Sequence, residues 1–236
     1  MPAYNAASKI DSVFERIPKE IWNKNISFII INDGSSDNTR EKISNIIKTQ
    51  QKGKVFLIDK KINEGYARAQ KSGFIEALNH GADIVVLLHS DGQYAPEALP
   101  KLLSPLENEN ADIVQGSRMI NRKDALKGGM PFYKFLANVV LSALENLVFR
   151  LNFAEYHSGY MLYTRKALET IPFLKLSDTF HFDGEMLFLG AKKGLRIKEI
   201  AIPTLYADEV SHVKPIKYGF DILKILTKYL LGKYNF

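Results

Sequence analysis

The segment Ile84-Val85-Val86-Leu87-Leu88-His89-Ser90-Asp91-Gly92-Gln93 joins five consecutive apolar residues to a polar loop. A continuous apolar run of this length is typical of a strand covered on both faces, as in a parallel sheet between two layers of helices. In such sheets ligands bind beyond the carboxyl ends of the strands. We therefore expect a ligand site at His89 to Gln93.

Similar strand-like segments alternate with helical patterns on both sides of this one. The predicted strands are residues 26–31, 54–58, 83–88, 112–115, 160–164 and 196–200. The predicted helices are residues 6–17, 36–52, 65–80, 96–107, 131–151, 184–193 and 216–230. This alternation predicts an α/β domain with a doubly wound, mostly parallel sheet flanked by helices. The polar, glycine-ended segment 121–129 is predicted to be a mobile loop.

The N-terminal residues pose a question about strand order. Pro2-Ala3-Tyr4-Asn5 has the pattern of a loop that follows a strand, but no strand precedes it. An empty central slot would leave two strand edges unpaired in the core. We therefore expect that the first strand is missing here and that Met1 is an internal residue of a longer polypeptide.

The amino-acid composition excludes several classes of protein and of binding site. The 236 residues include no cysteine, which excludes disulfides and thiolate metal sites and favours a cytoplasmic setting. The N-terminus does not resemble a signal peptide. The most apolar window, residues 135–149, is interrupted by polar side chains and is predicted to be too short to cross a bilayer, which needs roughly 20 apolar residues. The net charge of +6 predicts a polyanionic partner, namely nucleic acid, anionic lipid or a phosphorylated small molecule.

The end of the chain carries much of this positive charge. Residues 213–236 are predicted to form a basic amphipathic helix after a main domain of residues 1–212. One face is predicted to carry its apolar residues, which are Ile216, Phe220, Leu223, Leu226 and Leu230. Such a helix either packs on the domain or lies in a membrane interface with its lysines at anionic headgroups. Basic residues on an apolar helix, without a basic aromatic sheet, argue against nucleic acid as a partner.

Two polar loops carry the chemistry. Asp33 ends a predicted strand, where its carboxylate can accept hydrogen bonds from a nucleobase or ribose; the alternative is a well-capped crossover turn. Asp91, the side-chain oxygen of Gln93 and the imidazole of His89 can hold Mg²⁺ or Mn²⁺. The alternative there is a polar loop that leads into a helix at Pro96.

Five motifs together resemble family-two glycosyltransferases, in the branch that transfers sugars to dolichyl or polyprenyl phosphate and includes dolichyl-phosphate mannose synthases. They are Pro2-Ala3-Tyr4-Asn5, Asn32-Asp33-Gly34-Ser35-Ser36-Asp37, Asn63-Glu64-Gly65, Asp91-Gly92-Gln93 with Pro96-Glu97, and Gly116-Ser117-Arg118. The resemblance covers Pro2 to about Ser211. It implies a GT-A fold, a GDP- or UDP-sugar donor, Mg²⁺ or Mn²⁺, and inversion at the anomeric carbon.

The resemblance also implies roles for individual residues. The donor-side set is Pro2, Ala3, Tyr4, Asn5, Asp33, Gly65, Ser90 and Asp91. Asp91 and Gln93 would bind the metal, and Arg118 would face phosphate, for which its guanidinium is suited. The chain departs from the family in two places, because His89 replaces the usual first acid of the metal motif and Leu205 replaces the usual arginine before Tyr206.

The expected acceptor determines which further residues act. A hydroxyl acceptor needs a general base, for which Asp183 or Glu185 is the candidate, although both also suit a helix N-terminus. A polyprenyl phosphate is already anionic, and Lys134, Arg118 and Lys127 would guide it, with His157 on the acceptor side.

Three functions remain open from the sequence. The leading hypothesis is an inverting transferase that acts on a polyprenyl phosphate at the cytoplasmic face of a membrane, alone or with a separate membrane subunit. The second is transfer to a sugar hydroxyl of a glycan or glycolipid. The third is a catalytically inactive nucleotide-binding or scaffold module, which His89 and the absent first strand keep open.

Overall fold

The computed structural model describes residues 1–50, 53–204 and 215–236. The predicted domain boundary at residue 212, the departure at Leu205 and the end of the family resemblance near Ser211 lie outside these residues. Within them the chain forms two sheets with helices packed against them, which confirms the predicted α/β class.

The first sheet is parallel and contains the donor-side motifs. Its strands are β1 (Pro2–Ala3), β2 (Ser27–Asp33) and β3 (Lys54–Lys60), in that order. Pro2 lies opposite Ile31 and Ala3 opposite Asn32. The carboxyl ends of β1 and β2 therefore meet at one edge of the sheet.

The second sheet is mixed. Its strands are β4 (Ile84–Val86), β5 (Ile113–Ser117), β6 (Met161–Thr164) and β7 (Ile197–Ala201), in the order β4-β6-β5-β7. Strands β5 and β7 are parallel, but β6 is antiparallel to both of its neighbours. The apolar pattern predicted a strand at 160–164 without indicating its direction, because burial on both faces looks the same for either orientation.

The helices in the described residues are α1 (Ile10–Glu15), α2 (Lys19–Trp22), α3 (Thr39–Thr49), α4 (Tyr66–Asn79), α5 (Leu99–Glu107), α6 (Arg122–Lys127), α7 (Phe132–Phe149), α8 (Arg165–Thr170), α9 (Phe182–Lys192) and α10 (Pro215–Leu230). Seven of these helices lie near their predicted positions, and α2, α6 and α8 were not predicted. Short 3₁₀ turns cover Pro96–Ala98 and Phe173–Lys175. One apolar core includes α1 and α5, and a second includes α7, α9 and α10.

The N-terminal prediction needs a correction. Pro2 and Ala3 form a strand and not a loop after one, because β1 pairs with the last part of β2. The Met1 amino group also donates a 2.7 Å hydrogen bond to the Ile29 carbonyl. Among the described residues, no strand lies beside Ser27–Phe28 on this edge, and a cavity of about 400 Å³ separates β2 from β4 there.

Two predictions about the middle of the chain also need correction. The predicted mobile loop 121–129 contains helix α6, whose Ala125 is fully buried against Met119 and Met130. The prediction that no segment is long enough to cross a bilayer was wrong by length and composition, because α7 has 18 residues with a mean hydropathy of 1.3. One such helix is weak evidence for a span, and α7 buries Asn138, Ser142 and Glu145 against the protein.

The C-terminal helix is present, but its apolar residues divide between two faces and not one. Ile222, Ile225 and Leu226 are buried in the second core. Phe220 and Leu230 are 68% and 70% exposed. The helix therefore packs on the domain through one apolar stripe and presents another to its surroundings.

Candidate donor and acceptor site

The loop after β3 closes over the end of β2 by bonding to Asp33. The Asp33 carboxylate accepts hydrogen bonds from the backbone N–H groups of Glu64 (3.2 Å) and Gly65 (2.8 Å). Gly65 has φ of 95°, which suits glycine, and begins helix α4. Asp33 is only 3% exposed. Its observed contacts organise the loop, and its predicted contact with a nucleoside stays a prediction.

The segment from Pro2 to Asn5 lies against the turn that follows Asp33. The Asn5 side-chain oxygen accepts from the Ser36 N–H at 2.9 Å, and the Asn5 N–H donates to Ser35 Oγ at 3.0 Å. Asn5 has φ of 50°, a left-handed conformation that asparagine tolerates. Tyr4 is 41% exposed beside this turn. Four of the predicted donor-side residues are thus held at the same sheet edge as Asp33.

The loop after β4 adds the predicted metal ligands to this edge. Ser90 Oγ donates a 2.9 Å hydrogen bond to the Pro2 carbonyl, which fixes the loop beside β1. Asp91 Oδ1 accepts from the Gln93 backbone N–H at 3.0 Å. Asp91 and Gln93 are both partly exposed. The loop that carries Asp91 and Gln93 is therefore partly open to solvent.

His89 is held as a neutral imidazole. Its Nε2 lies 3.1 Å from the Gly159 carbonyl, to which it donates, and 3.3 Å from Tyr66 Oη. Burial lowers the pKa of His89 below its ordinary value, although Asp91 opposes this effect. With the proton assigned to Nε2 by these acceptors, Nδ1 carries the lone pair that a metal would need.

Three further residues complete this site; Gly159 lies in the segment 157–160 that resembles the family's acceptor side, whereas Tyr66 and Tyr94 were given no role from the sequence. Gly159 approaches so closely that a Cβ there would lie 2.4 Å from Tyr66 Oη and 2.9 Å from His89 Nε2. Its N–H donates to Tyr94 Oη at 2.8 Å. The ring of Tyr94 meets the His89 ring edge-on at 4.7 Å. Tyr66 and Tyr94 directly follow the motif residues Gly65 and Gln93, and that adjacency was the only available signal.

Asp183 joins this group from helix α9. Its Oδ2 accepts from Tyr66 Oη at 2.8 Å and from Gln70 Nε2 at 3.4 Å. Its Oδ1 has no hydrogen-bond partner in the part of the chain that the structure describes. Burial raises the pKa of Asp183 to about 7, against the opposing effect of its hydrogen-bond donors. The carboxyl is therefore poised to change its protonation state near neutral pH.

Glu185, the other predicted base, lies elsewhere. It accepts hydrogen bonds from the Ser177 N–H at 2.9 Å, from Ser177 Oγ and from Tyr234 Oη. Residues two apart on a helix do not share a face, so Glu185 points away from Asp183. The structure places Asp183, and not Glu185, beside Tyr66 and His89.

Arg118 ends β5 in a buried ion pair. Its guanidinium donates to Glu155 Oε2 at 2.9 Å and to the His157 carbonyl at 2.8 Å. The Arg118 guanidinium also lies 5.8 Å from the centre of the Tyr94 ring. Glu155 is fully buried, and Asn138 of α7 donates to it at 3.1 Å. The positive charge at Arg118 is thus fixed between the Tyr94 loop and helix α7.

The other residues predicted to bind the acceptor lie on or near α7. Lys134 and the predicted guide Lys127 belong to α7 and α6. The His157 side chain is only 8% exposed and faces Glu145 and Tyr218, so its own imidazole contacts the protein interior. The His157 backbone carbonyl accepts a hydrogen bond from Arg118, and this bond connects His157 to the residues around Tyr94.

The fold and the arrangement of polar loops define the class of protein. The structure superposes on glucosyl-3-phosphoglycerate synthase from Mycobacterium tuberculosis in complex with Mn²⁺ and UDP-glucose, with a TM-score of 0.65 and 18% identity, over 97% of this chain and 76% of that one. The fold is therefore that of the GT-A glycosyltransferases.

The sequence identifies the family within that class. The model of glycosyl transferase family 2 matches residues 1–171, and the chain belongs to this family. It is 29% identical to UDP-N-acetylglucosamine–dolichyl-phosphate N-acetylglucosaminyltransferase from Methanococcus voltae, over 99% of this chain and 95% of that protein. It is also 25% identical to undecaprenyl-phosphate mannosyltransferase from Micrococcus luteus, over 86% of this chain and 80% of that protein.

Proposed function

We propose that the protein transfers a sugar, with inversion, from a UDP- or GDP-sugar to a polyprenyl phosphate at a membrane surface. The observation that carries the proposal is the link from Arg118 through Glu155 to Asn138 on helix α7. It joins a cation beside the donor loop to a helix with exposed apolar residues. An acceptor with an anionic head and a long hydrocarbon tail matches both features. The names of the relatives from M. voltae and M. luteus support the same acceptor class.

The exposed apolar surface supports a lipid acceptor. Helix α7 exposes five large apolar residues, which are Phe132, Tyr133, Leu136, Val140 and Leu147. Helix α10 and the turn after it expose Phe220, Leu223, Leu230 and Leu231, and the lysines at 217, 224, 228 and 233 are exposed as well. Apolar and basic side chains on one surface helix are typical of binding to anionic membrane surfaces. We propose a peripheral position on the cytoplasmic face, on the lipid itself or on a membrane subunit.

The loop after β4 fits a divalent cation. Asp91 offers a carboxylate oxygen beyond the one bonded to Gln93, and the Gln93 side chain carries an amide oxygen. His89 is neutral, and its Nε2–H donates to the Gly159 carbonyl, which leaves Nδ1 with a lone pair. This nitrogen would add one imidazole ligand to the oxygen ligands of Asp91 and Gln93. This donor set suits Mn²⁺ at least as well as Mg²⁺. When bound, the ion would neutralise charge on the leaving diphosphate.

The chain's own residues would then position the two reactants. A phosphate oxygen of the acceptor attacks the anomeric carbon as the bond from that carbon to the nucleoside diphosphate breaks, which inverts the configuration. The attacking oxygen is already anionic, so no proton has to leave it. Arg118 would hold the acceptor phosphate by its charge. Asp33 and Asn5 would keep the donor loops closed through the contacts that they make to Gly65 and Ser36.

A second function is favoured by Asp183. A buried carboxyl with a pKa of about 7 and a free oxygen suits a general base, which a sugar hydroxyl acceptor needs. Transfer to a glycan or glycolipid is therefore the alternative.

A transfer assay separates these functions. Purified protein is incubated with Mn²⁺ or Mg²⁺, a labelled UDP- or GDP-sugar, and either dolichyl or undecaprenyl phosphate in detergent. We expect label to enter the organic phase as a sugar phosphate that mild acid releases. Label on a glycan or glycolipid alone would favour the alternative. Nucleotide binding that is indifferent to the metal, with no product from any donor, would indicate an inactive module.

A further inference from the structure

A second cluster of potential metal ligands lies in the core, away from the Asp91 loop. It consists of Glu145 on α7, His157 on the segment before β6, and His181 at the start of α9. Glu145 and His181 are fully buried, and the His157 side chain is 8% exposed. One ligand atom from each residue lies within 4.8 Å of the others.

The contacts inside this cluster are short, and the Glu145 carboxylate faces both imidazoles at ion-pair distance. Glu145 Oε1 lies 2.8 Å from His181 Nε2, and Oε2 lies 3.2 Å from His157 Nε2. None of these four atoms has a hydrogen-bond partner of suitable geometry among residues 1–50, 53–204 and 215–236. Buried polar atoms are almost always satisfied in proteins. A carboxylate and two imidazole nitrogens that converge in the core form a set of ligand atoms that a bound cation would satisfy.

The opposite sides of both imidazoles are held by one residue. Tyr218 Oη on α10 lies 2.9 Å from His157 Nδ1 and 3.2 Å from His181 Nδ1. A phenol oxygen has two lone pairs and can accept from both Nδ1–H groups. This assignment leaves both histidines neutral, with their Nε2 lone pairs directed toward Glu145. Histidines that bind metals are commonly oriented in this way by a hydrogen bond from the other ring nitrogen.

We propose that Glu145, His157 and His181 bind a divalent transition-metal ion, for which Zn²⁺ is the best match. Two imidazole nitrogens and a carboxylate are a typical Zn²⁺ ligand set, whereas Mg²⁺ prefers oxygen ligands. Bonds of about 2.0–2.2 Å at tetrahedral angles hold ligand atoms roughly 3.4 Å apart. The carboxylate and the imidazoles would therefore open slightly from their present separations of 2.8 Å and 3.2 Å to admit the ion. Helices α7 and α9 meet at these residues, and α10 contacts both histidines through Tyr218. The ion would therefore help to hold α7 and α10, which have exposed apolar residues, on the rest of the domain.

A proton is the competing occupant. The charge of Glu145 raises the pKa of His181 even though burial lowers it, so an imidazolium at His181 could pair with Glu145 without any metal. The same buried carboxylate suits either cation. A bound ion would give the protein a measurable metal content and a metal with imidazole ligands, whereas a proton would give neither. Both properties can be measured directly.

The experiment uses the Asp91→Asn variant, in which the proposed donor-side ion is disabled and the cluster is untouched. The protein is loaded with Zn²⁺ alone, freed of excess metal and analysed by elemental mass spectrometry and zinc X-ray absorption. We expect about one ion per chain with two imidazole nitrogens in its coordination shell. Glu145→Gln with His181→Gln in the same background is expected to lose that ion. The control pair Glu76→Gln with His80→Gln removes an exposed Glu–His contact and is expected to retain it.

Two results would overturn the proposal. One is a Zn²⁺ content of the Asp91→Asn protein that the cluster substitutions do not lower. The other is an absorption spectrum without imidazole ligands, or nitrogen NMR that shows a charged imidazole at His181 in protein exposed to Zn²⁺. If the double substitution prevents folding, the absorption spectrum of the Asp91→Asn protein decides alone. A melting temperature that a chelator lowers and Zn²⁺ restores would support the structural role.

Discussion

Tyr66 and Asp183, which are 117 positions apart, share a 2.8 Å hydrogen bond in which the Tyr66 hydroxyl donates to the carboxylate. The bond ties helix α4 of the first sheet to helix α9 of the second. Tyr66 Oη also lies 3.3 Å from His89 Nε2, so the same hydroxyl connects Asp183 to the candidate metal loop. The site is therefore a junction between the two halves of the chain.

Asp183→Asn tests whether this junction supplies a general base. If the acceptor is a polyprenyl phosphate, no base is needed, and we expect the rate to fall by less than about tenfold. If the acceptor is a hydroxyl, loss of the base would lower kcat by about 10²–10⁴-fold. Steady-state rates with each acceptor measure the difference, and Asp11→Asn, which alters an exposed pair with Lys42, is the control.

Asp91→Asn tests the donor-side metal. Loss of a carboxylate that binds the ion is expected to lower transfer by at least about 10²-fold, because charge on the leaving diphosphate is no longer neutralised. The fold should be unchanged, since Asp91 is partly exposed and its hydrogen bond within the described part of the chain is to its own loop. Mn²⁺ should then no longer increase the thermal stabilisation by UDP or GDP. Wild-type turnover in this variant would remove Asp91 from the mechanism.

Glu155→Gln tests the buried ion pair with Arg118. Glu155 is fully buried, and removing its charge leaves the Arg118 guanidinium without its counter-charge. We expect the free energy of unfolding to fall by about 3–5 kcal/mol. Denaturant titration measures the change. Glu107→Gln, which breaks an exposed pair with Lys24, is expected to cost less than about 1 kcal/mol.

Asp112 gives the stability a defined dependence on pH. The hydrogen bonds from Arg196 hold the pKa of Asp112 well below its ordinary value, although burial opposes them. A lowered folded-state pKa stabilises the protein above the ordinary aspartate pKa, and the stabilisation is lost as the pH falls through the folded value. We therefore expect Asp112→Asn to be less stable than wild type at pH 7, with a difference that shrinks on acidification. Melting curves of both proteins between about pH 7 and pH 2 measure this, and a gap independent of pH would contradict it.

Phe220→Glu with Leu230→Glu tests the membrane surface. Both side chains are mostly exposed, so the fold should tolerate the change. Each apolar side chain removed from the lipid boundary costs about 1.5–3 kcal/mol, and we expect binding to anionic vesicles to weaken more than about tenfold. Vesicle sedimentation measures the effect. Ile47→Glu on α3 replaces another exposed apolar residue and should leave binding unchanged if α10 is the contact.

The sequence by itself determined the alternation of strands and helices and the polar loops at the strand ends. Apolar runs such as 84–88 specify burial through local periodicity, and motif residues such as Asp33 and Asp91 follow those runs directly. Their proximity was expected from a single parallel sheet, whereas the structure has two sheets whose loops meet where Ser90 bonds to Pro2. The family resemblance rested on the same short segments.

Only the tertiary structure decided the contacts between distant segments. The direction of β6, the bond between Tyr66 and Asp183, and the burial of His157 against Glu145 depend on which elements become neighbours. The two apolar stripes of α10 became distinguishable only once Ile222 was seen in the core and Phe220 outside it. The physical reason is that periodicity records whether a side chain is covered, whereas the identity of its partner is fixed by the order of strands and the packing of helices on them.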